Sequence, residues 1–295
     1  MSLSLKEKDL EIEKKERIRQ AVRESYGKVA RAGEVTIGSS PAASCCSPPE
    51  PSTETNRTDS CGCVPPGVTS EQMSAIMGYS KEDLAGVPEG ANMGLGCGNP
   101  VALASLNPGE TVVDLGSGGG FDCFLAAKQV GDSGRVIGVD MTPEMITKAR
   151  KNAVKMGTTN VDFRLGEIEH LPVADNSADI IMSNCVINLS PDKLSVYREA
   201  FRVLKPGGRL AISDILATAT LPEKVQQDLA LVAACVGGAA TIDETVKLLE
   251  TVGYRDIKIR PTDASRELIK QWDPAQSENA GDYVVSATIE AIKPA

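Results

Sequence analysis

Val112-Val113-Asp114-Leu115-Gly116-Ser117-Gly118-Gly119-Gly120 constrains this chain more than any other stretch of it. A short β-branched run leads into an acidic residue and then into a loop carrying four glycines in five positions. Behind the loop, Phe121 to Ala127 reads as the start of a helix. Strand, glycine turn and helix N-terminus let the backbone approach a ligand closely, because glycine has no Cβ and tolerates positive φ.

From Thr111 onward the pattern around this unit alternates. Strands are expected at 111–115, 135–140, 161–165, 178–183 and 208–213, with helices at 120–130, 143–156 and 191–203 between them. Pro143 suits the first turn of its helix. Strands alternating with helices imply βαβ units and a parallel sheet with right-handed crossovers. A helix is expected at 222–235, another opened by Thr241 or Asp243 and ending near 251, and strands at 254–260 and 282–291. The fold class that follows is α/β: a Rossmann-like, doubly wound, mostly parallel sheet of seven strands.

Upstream, residues 5–32 place Ile18, Val22, Tyr26 and Val29 on one stripe among Lys, Arg and Glu, the spacing of an amphipathic helix. From 33 to 69 the composition shifts to Ser, Pro, Thr, Gly and Cys, which reads as a linker, with cysteines at Cys45, Cys46, Cys61 and Cys63. Short helices are expected after Ser70, after Ser80 and from Pro100 to Ser105. Between them, Gly94, Gly96 and Gly98 alternate around Cys97, the mark of a tightly turned backbone. Four segments result: an N-terminal helix or lid (1–32), the linker (33–69), a core (70–220) and a C-terminal segment (221–295), with helices capping the strand ends.

Composition narrows the function. A net charge of −9 over 295 residues argues against nucleic-acid or anionic-membrane partners, which call for a basic stripe. No window approaches the ~18 apolar residues of a spanning helix, and Met1 to Lys8 lacks the apolar core of a signal peptide. A cytoplasmic protein is expected, in which the eight cysteines serve metal or catalytic chemistry better than disulfides. The one histidine, His170, reads as a solvated loop residue, so imidazole bases and His-rich zinc sites are not expected.

At the strand ends, where open α/β sheets bind ligands, two cofactors compete. A dinucleotide fingerprint needs a glycine where Phe121 stands. The observed Gly116-x-Gly118-x-Gly120, with Asp114 before it, favours S-adenosylmethionine instead. Asp140, ending the second strand, is placed to accept ribose hydroxyls, and Met141 to lie on an adenine face. Gly166-Glu167-Ile168 ends the third strand where a carboxylate meets an adenine amino group, and Ser183-Asn184-Cys185 ends the fourth. Asp140 alone would serve NAD equally well.

The whole set resembles the class I S-adenosylmethionine-dependent methyltransferases. Four segments carry the likeness in order: Val113-Asp-Leu-Gly-Ser-Gly-Gly-Gly, Val136-Ile-Gly-Val-Asp-Met-Thr-Pro-Glu-Met, Leu171-Pro-Val-Ala-Asp-Asn-Ser-Ala-Asp-Ile-Ile and Val203-Leu-Lys-Pro-Gly-Gly-Arg-Leu. The asparagine-proline-proline-aromatic segment of many amine-methylating enzymes is absent, and Cys185 stands near its place. Cys97 and Cys235 lie in segments expected to cover the strand ends. Three thiolates beside a methyl donor call for a soft, thiophilic acceptor. Taken singly, each cysteine reads equally well as a packing or turn residue.

Gly94-Leu-Gly-Cys97-Gly-Asn-Pro, Ser183-Asn-Cys185-Val-Ile-Asn-Leu and Ala234-Cys235-Val-Gly-Gly-Ala are similar to arsenite methyltransferases, and Tyr26-Gly27 resembles that family's donor-closing segment. The resemblance implies methyl transfer from S-adenosylmethionine to As(III), as arsenite or methylarsenite, held by Cys97, Cys185 and Cys235, with Cys61 or Cys63 as a further candidate thiol. It implies a donor site of Tyr26, Asp114, Gly116, Ser117, Gly118, Gly120, Asp140, Met141, Gly166, Glu167, Ile168 and Asn184. It also implies a thiol reductant such as glutathione or thioredoxin, and arsenic detoxification. Two alternatives stand beside it: the same fold methylating another small molecule, such as a quinone or sterol-like carbon acid, and a thiol-rich protein that binds arsenic or soft metals without turnover.

Overall fold

The computed structural model describes residues 5–32, 69–262 and 282–295. The linker cysteines Cys45, Cys46, Cys61 and Cys63, and Trp272, lie outside the described residues. The helix α1 runs Leu5–Ala32. Three short helices follow, α2 (Ser70–Ile76), α3 (Lys81–Ala85) and α4 (Pro100–Ala104). The alternating part runs β1 (Thr111–Leu115), α5 (Phe121–Val130), β2 (Arg135–Asp140), α6 (Pro143–Met156), β3 (Val161–Leu165), β4 (Ala178–Asn184), α7 (Lys193–Val203) and β5 (Leu204–Ala217). It closes with α8 (Glu223–Gln227), α9 (Leu229–Ala233), α10 (Ile242–Val252), β6 (Arg255–Thr262) and β7 (Val284–Ile292).

The seven strands form one sheet in the order β3-β2-β1-β4-β5-β7-β6. The pairs from β3 across to β5 are parallel, and β7 runs antiparallel to both its neighbours. Strand order reverses between β1 and β4, so a crevice opens beyond their carboxyl ends. Period-two alternation divides the core between the two faces of the sheet. Val112, Ile180 and Met182 join Met73, Phe124 and Phe163 on one face, while Val113, Leu115 and Ile181 join Tyr197, Leu249 and Tyr254 on the other. Helices cover both faces, which explains why the central strands read as continuous apolar runs.

Local chemistry moved several expected boundaries. The helix expected at 222–235 is two short ones. Asp228 accepts N–H bonds from Ala230 and Leu231 at 2.8 and 3.3 Å, and so caps a new helix in the middle of the apolar stretch. Asp192, accepting from Ser195 N–H at 3.1 Å, likewise starts α7 at Lys193 rather than at 191. Thr69 rather than Ser70 caps α2. The expected strand at 208–213 is the middle of the longer β5, extended by pairing with β7 along Arg209–Ala217. Among the described residues no helix is long and apolar enough to cross a membrane.

Candidate active site

The glycine loop forms the floor of a cleft at the carboxyl ends of β1, β2 and β4. Gly116 and Ser117 both donate N–H bonds to the Val139 carbonyl, at 2.7 and 3.0 Å, which pins the loop to β2. Gly116 sits at φ +70°, and a Cβ there would lie 2.4 Å from Val186; no other residue fits. Asp140 accepts from Gly118 N–H at 3.0 Å with one carboxylate oxygen and from Thr142 N–H at 2.8 Å with the other. Its burial pushes its carboxyl above the ordinary range, against those two bonds. The Ser117 hydroxyl is buried and has no hydrogen-bond partner among the described residues. A glycine cradle, an orphan hydroxyl and a backbone-held carboxylate suit a polar nucleoside ligand with close backbone contact.

Two carboxylates line the same cleft. Burial first, then the neighbouring Asp122, pushes Asp114 well above the usual carboxylate range. Asp122 is pushed up to about 6 by burial, against hydrogen bonds from Tyr79 and Asn184. The Tyr79 hydroxyl donates to Asp122 at 2.5 Å, and Asn184 Nδ2 at 3.3 Å. Buried acids that resist ionisation beside a cleft mark a place for a cationic ligand.

The amphipathic helix α1 lies across this cleft. Val22 is buried, and Val22, Tyr26 and Arg19 line the cavity wall. Arg19 pairs at 3.4 Å with Glu169, which is 4% exposed and also accepts from the Ser190 hydroxyl at 2.7 Å. Arg19 and Arg23 pair with Glu167 at 3.4 and 3.5 Å, and Lys15 with Asp192 at 2.8 Å. The Tyr26 hydroxyl reaches the Ala233 carbonyl at 3.4 Å and Cys235 Sγ at 4.0 Å.

Next to the loop the thiols gather. Asn184, the last residue of β4, accepts from Cys97 N–H and donates to the Gly98 carbonyl, both at 2.9 Å, and donates to Tyr79 at 3.1 Å. A Cβ on Gly96, at φ +120°, would sit 2.7 Å from that amide, so the Cys97 turn wraps the side chain. Cys97 Sγ, Cys185 Sγ and a carboxylate oxygen of Asp214 all lie within 4.8 Å of one another. Cys235 also meets Cys185, its thiol donating to the Cys185 carbonyl at 2.9 Å. Contact with Cys235, then with Cys97, then burial, pushes the Cys185 thiol well above the usual thiol range. Burial raises Cys97 as well. Cys185 and Cys235 both hold left-handed backbone, at φ +59° and +64°, a region that β-carbon-bearing residues seldom occupy.

A methyltransferase domain family matches residues 106–253. The chain is 48% identical over 285 residues to an arsenite methyltransferase of Halobacterium salinarum, covering 95% of this chain and 68% of that protein. The chain belongs to the arsenite methyltransferase family. An arsenite methyltransferase of Aquipseudomonas alcaligenes is 44% identical over 214 residues, which span 70% of this chain and 60% of the relative. The crystal structure of an arsenic(III) S-adenosylmethionine methyltransferase from Chlamydomonas reinhardtii superposes with a TM-score of 0.57 at 32% identity, covering 75% of this chain and 72% of that one.

Within this family member, the expected donor residues divide. Tyr26, Asp114, Gly116, Ser117, Gly118, Asp140, Met141, Ile168 and Asn184 line the cleft. Gly120, Gly166 and Glu167 do not line it. Gly120 is needed for packing, since a Cβ at its φ of +92° would meet Phe163 at 2.7 Å. Gly166 is pressed against Pro172, and Glu167 is engaged by the α1 arginines. Tyr79, Asp122, Glu169 and Asp214 were not legible as site residues: each joins the site through a partner distant in sequence. The three cysteines expected to hold arsenic, Cys97, Cys185 and Cys235, come together unequally, two beside Asp214 and the third beside Cys185. Cys123 is buried and donates to Asp114 at 3.2 Å, and His170 is exposed.

Proposed function

We infer that this chain transfers methyl groups from S-adenosylmethionine to trivalent arsenic held on cysteine sulfur. The observation carrying this reading is the gathering of Cys97, Cys185 and Cys235 at the strand ends beside the glycine-loop cleft. S-adenosylmethionine, when bound, supplies an electrophilic methyl group on a sulfonium. The glycine cradle of Gly116, Ser117 and Gly118 fits its backbone-contacting part, Asp114 and Asp122 its cationic end, Asp140 the ribose hydroxyls, and Met141 with Ile168 the adenine. Residues 1–32 act as the lid over this site, 33–69 as a linker, 70–220 as the donor-binding core and 221–295 as the segment that completes the acceptor site.

For the acceptor, each thiol proton leaves with one hydroxyl of arsenous acid as water, while an As–S bond replaces As–O. Three such exchanges give a pyramidal trithiolate whose lone pair is free. An As–C bond forms as the sulfonium C–S bond breaks, and that bonding pair stays on the departing sulfur. No side-chain base is required, and the catalysis is chiefly positioning. The raised thiols of Cys97 and Cys185 suit this exchange, because each carries its proton to the leaving hydroxyl. Arsenic moves formally from III to V, and its return takes two electrons from a thiol pair that becomes a disulfide. A thiol reductant of the glutathione or thioredoxin class then restores that pair, and a reducing cytoplasm is the compartment that keeps it available. Methylated arsenicals as products place the chain in arsenic detoxification.

Purified protein incubated with methyl-labelled donor, As(III) and a thiol reductant tests this reading. Label in methylated arsenicals is the expected result. Arsenic bound in full without labelled product would mean sequestration, and neither binding nor product would mean another acceptor.

A further inference from the structure

We propose that Cys97, Cys185 and Asp214 form a site for a borderline divalent cation of the Zn²⁺ class, sharing two sulfurs with arsenic. Their ligand atoms lie within 4.8 Å of one another, so one small ion can touch all three. Asp214 is 2% exposed, and its carboxylate is held rigidly, one oxygen accepting from Ile187 N–H at 2.9 Å and the other from Ile215 N–H at 2.8 Å. Asn188 N–H also reaches this carboxylate, so three donors leave one lone pair for an ion, and the oriented carboxylate resembles the hydrogen-bonded ligands of metal sites.

The ligand chemistry selects the ion. Two thiolates and a carboxylate oxygen suit a tetrahedral N/O/S centre with a fourth, open position, the preference of Zn²⁺ and its spectroscopic substitute Co²⁺. Trivalent arsenic instead forms a pyramid of three sulfurs and gains little from a hard oxygen. Cys235 is not in that set, although its sulfur touches the Cys185 thiol; its own thiol donates to the Cys185 carbonyl at 2.9 Å. The arrangement therefore presents a two-sulfur, one-oxygen set, and completing the arsenic set requires the Cys235 thiol to give up the proton it donates to that carbonyl. On the arsenic reading given above, the two ions compete for Cys97 and Cys185 while differing in their third ligand.

Cobalt titration of the reduced full chain reads the site directly, through the thiolate-to-cobalt charge-transfer band and the visible bands of tetrahedral Co²⁺. One equivalent is expected to develop both. Cys97→Ser and Cys185→Ser should each abolish the spectrum, and Asp214→Asn should weaken cobalt binding at least tenfold. Cys235→Ser should leave cobalt binding within twofold of the parent. Donor binding by each variant shows that it is folded, and Asp214→Glu, which moves the oxygens by one methylene, should shift the visible bands. A variant lacking Cys45, Cys46, Cys61 and Cys63 must keep the spectrum; its loss there would move the site to those residues and overturn the proposal. So would a spectrum that needs Cys235 and ignores Asp214, or no charge-transfer band at all. As(III) should displace cobalt from the parent protein. If cobalt binds as described but As(III) neither binds nor displaces it, the cation site stands and the arsenic reading falls.

Discussion

With the donor's cationic end at Asp114 and Asp122, as proposed above, donor affinity is expected to depend on pH in a direction set by burial. Asp122 stands at about 6 against an ordinary 3.8, and Asp114 is raised as well, so the free protein holds a proton on this pair in mild acid. The two carboxyls titrate together, and the midpoint belongs to the pair. For the free protein the sign is unfavourable to ionisation. The folded state binds more protons than the unfolded one between about pH 4 and 6, so this contribution to stability is present in acid and is lost as pH rises through 6. A cationic ligand reverses the preference, because sulfonium and ammonium favour the ionised pair. S-adenosylmethionine affinity is therefore expected to rise with pH through about 6 and to level off above it. A shift of about two units corresponds to about 3 kcal/mol, at 1.36 kcal/mol per unit. If the donor restores an ordinary carboxylate, affinity at pH 5 is about tenfold weaker than at pH 7. Calorimetric titration across pH 5–7 measures this directly, with S-adenosylhomocysteine, which lacks the sulfonium charge, expected to show a shallower slope. Asp122→Asn and Asp114→Asn should each flatten the dependence. A parent affinity constant within twofold across the range, or a slope unchanged in both variants, would refute the reasoning.

Other substitutions address the remaining parts of the site. Cys185→Ser should abolish methylation of arsenite while leaving donor affinity within a few-fold of the parent, as followed by labelled-product and binding assays. Asn184→Ala leaves the Cys97 N–H and the Gly98 carbonyl without their 2.9 Å partner, at about 1–3 kcal/mol; it should lower stability and change the alkylation rate of Cys97 more than that of other thiols, read by mass spectrometry. Arg19→Ala leaves the buried Glu169 with Ser190 as its remaining hydrogen-bond partner among the described residues and should raise the apparent KM for the donor through a looser lid, while Arg31→Ala, at an exposed ion pair, should change it little. Asp140→Ala should weaken donor binding by about 1–3 kcal/mol; unchanged affinity would remove the second strand end from the donor site.

The fold was legible because its signals are local. Val and Ile runs at 112–113, 136–137 and 180–181 state that both faces of the sheet are covered, and Pro143 and Thr241 mark helix starts. What failed was also local, but ambiguous. Asp228 sits in a stretch whose apolar spacing suits one helix, and only its side-chain capping bonds show that a second helix begins there. The donor loop was legible for the same reason as the sheet, since its glycines serve backbone geometry that neighbouring residues set. Even so, Gly120 carries the motif yet serves Phe163 and Phe124, because a missing Cβ looks the same whether a ligand or a ring fills the space.

The groups that join distant segments differ in kind. Tyr79, Asp122 and Asn184 form one hydrogen-bonded group across three separated segments, and nothing in the spacing of three such residues predicts that they meet. Asp214 reads in sequence as the end of an ordinary strand, and it becomes a site residue only because β5 passes Cys185 and the Cys97 turn folds back over both. The left-handed backbone at Cys185 and Cys235 is equally silent in sequence, since neither residue is one that favours it. Each such conformation costs about 1–3 kcal/mol and persists only where the surroundings over-determine it. Here those surroundings are identifiable: Cys185 N–H is held by the Ser213 carbonyl at 2.8 Å, and the Cys235 carbonyl accepts from Asn188. Strain at two of the three thiols, and at no other cysteine among the described residues, separates them physically from Cys123, which packs in the core without it.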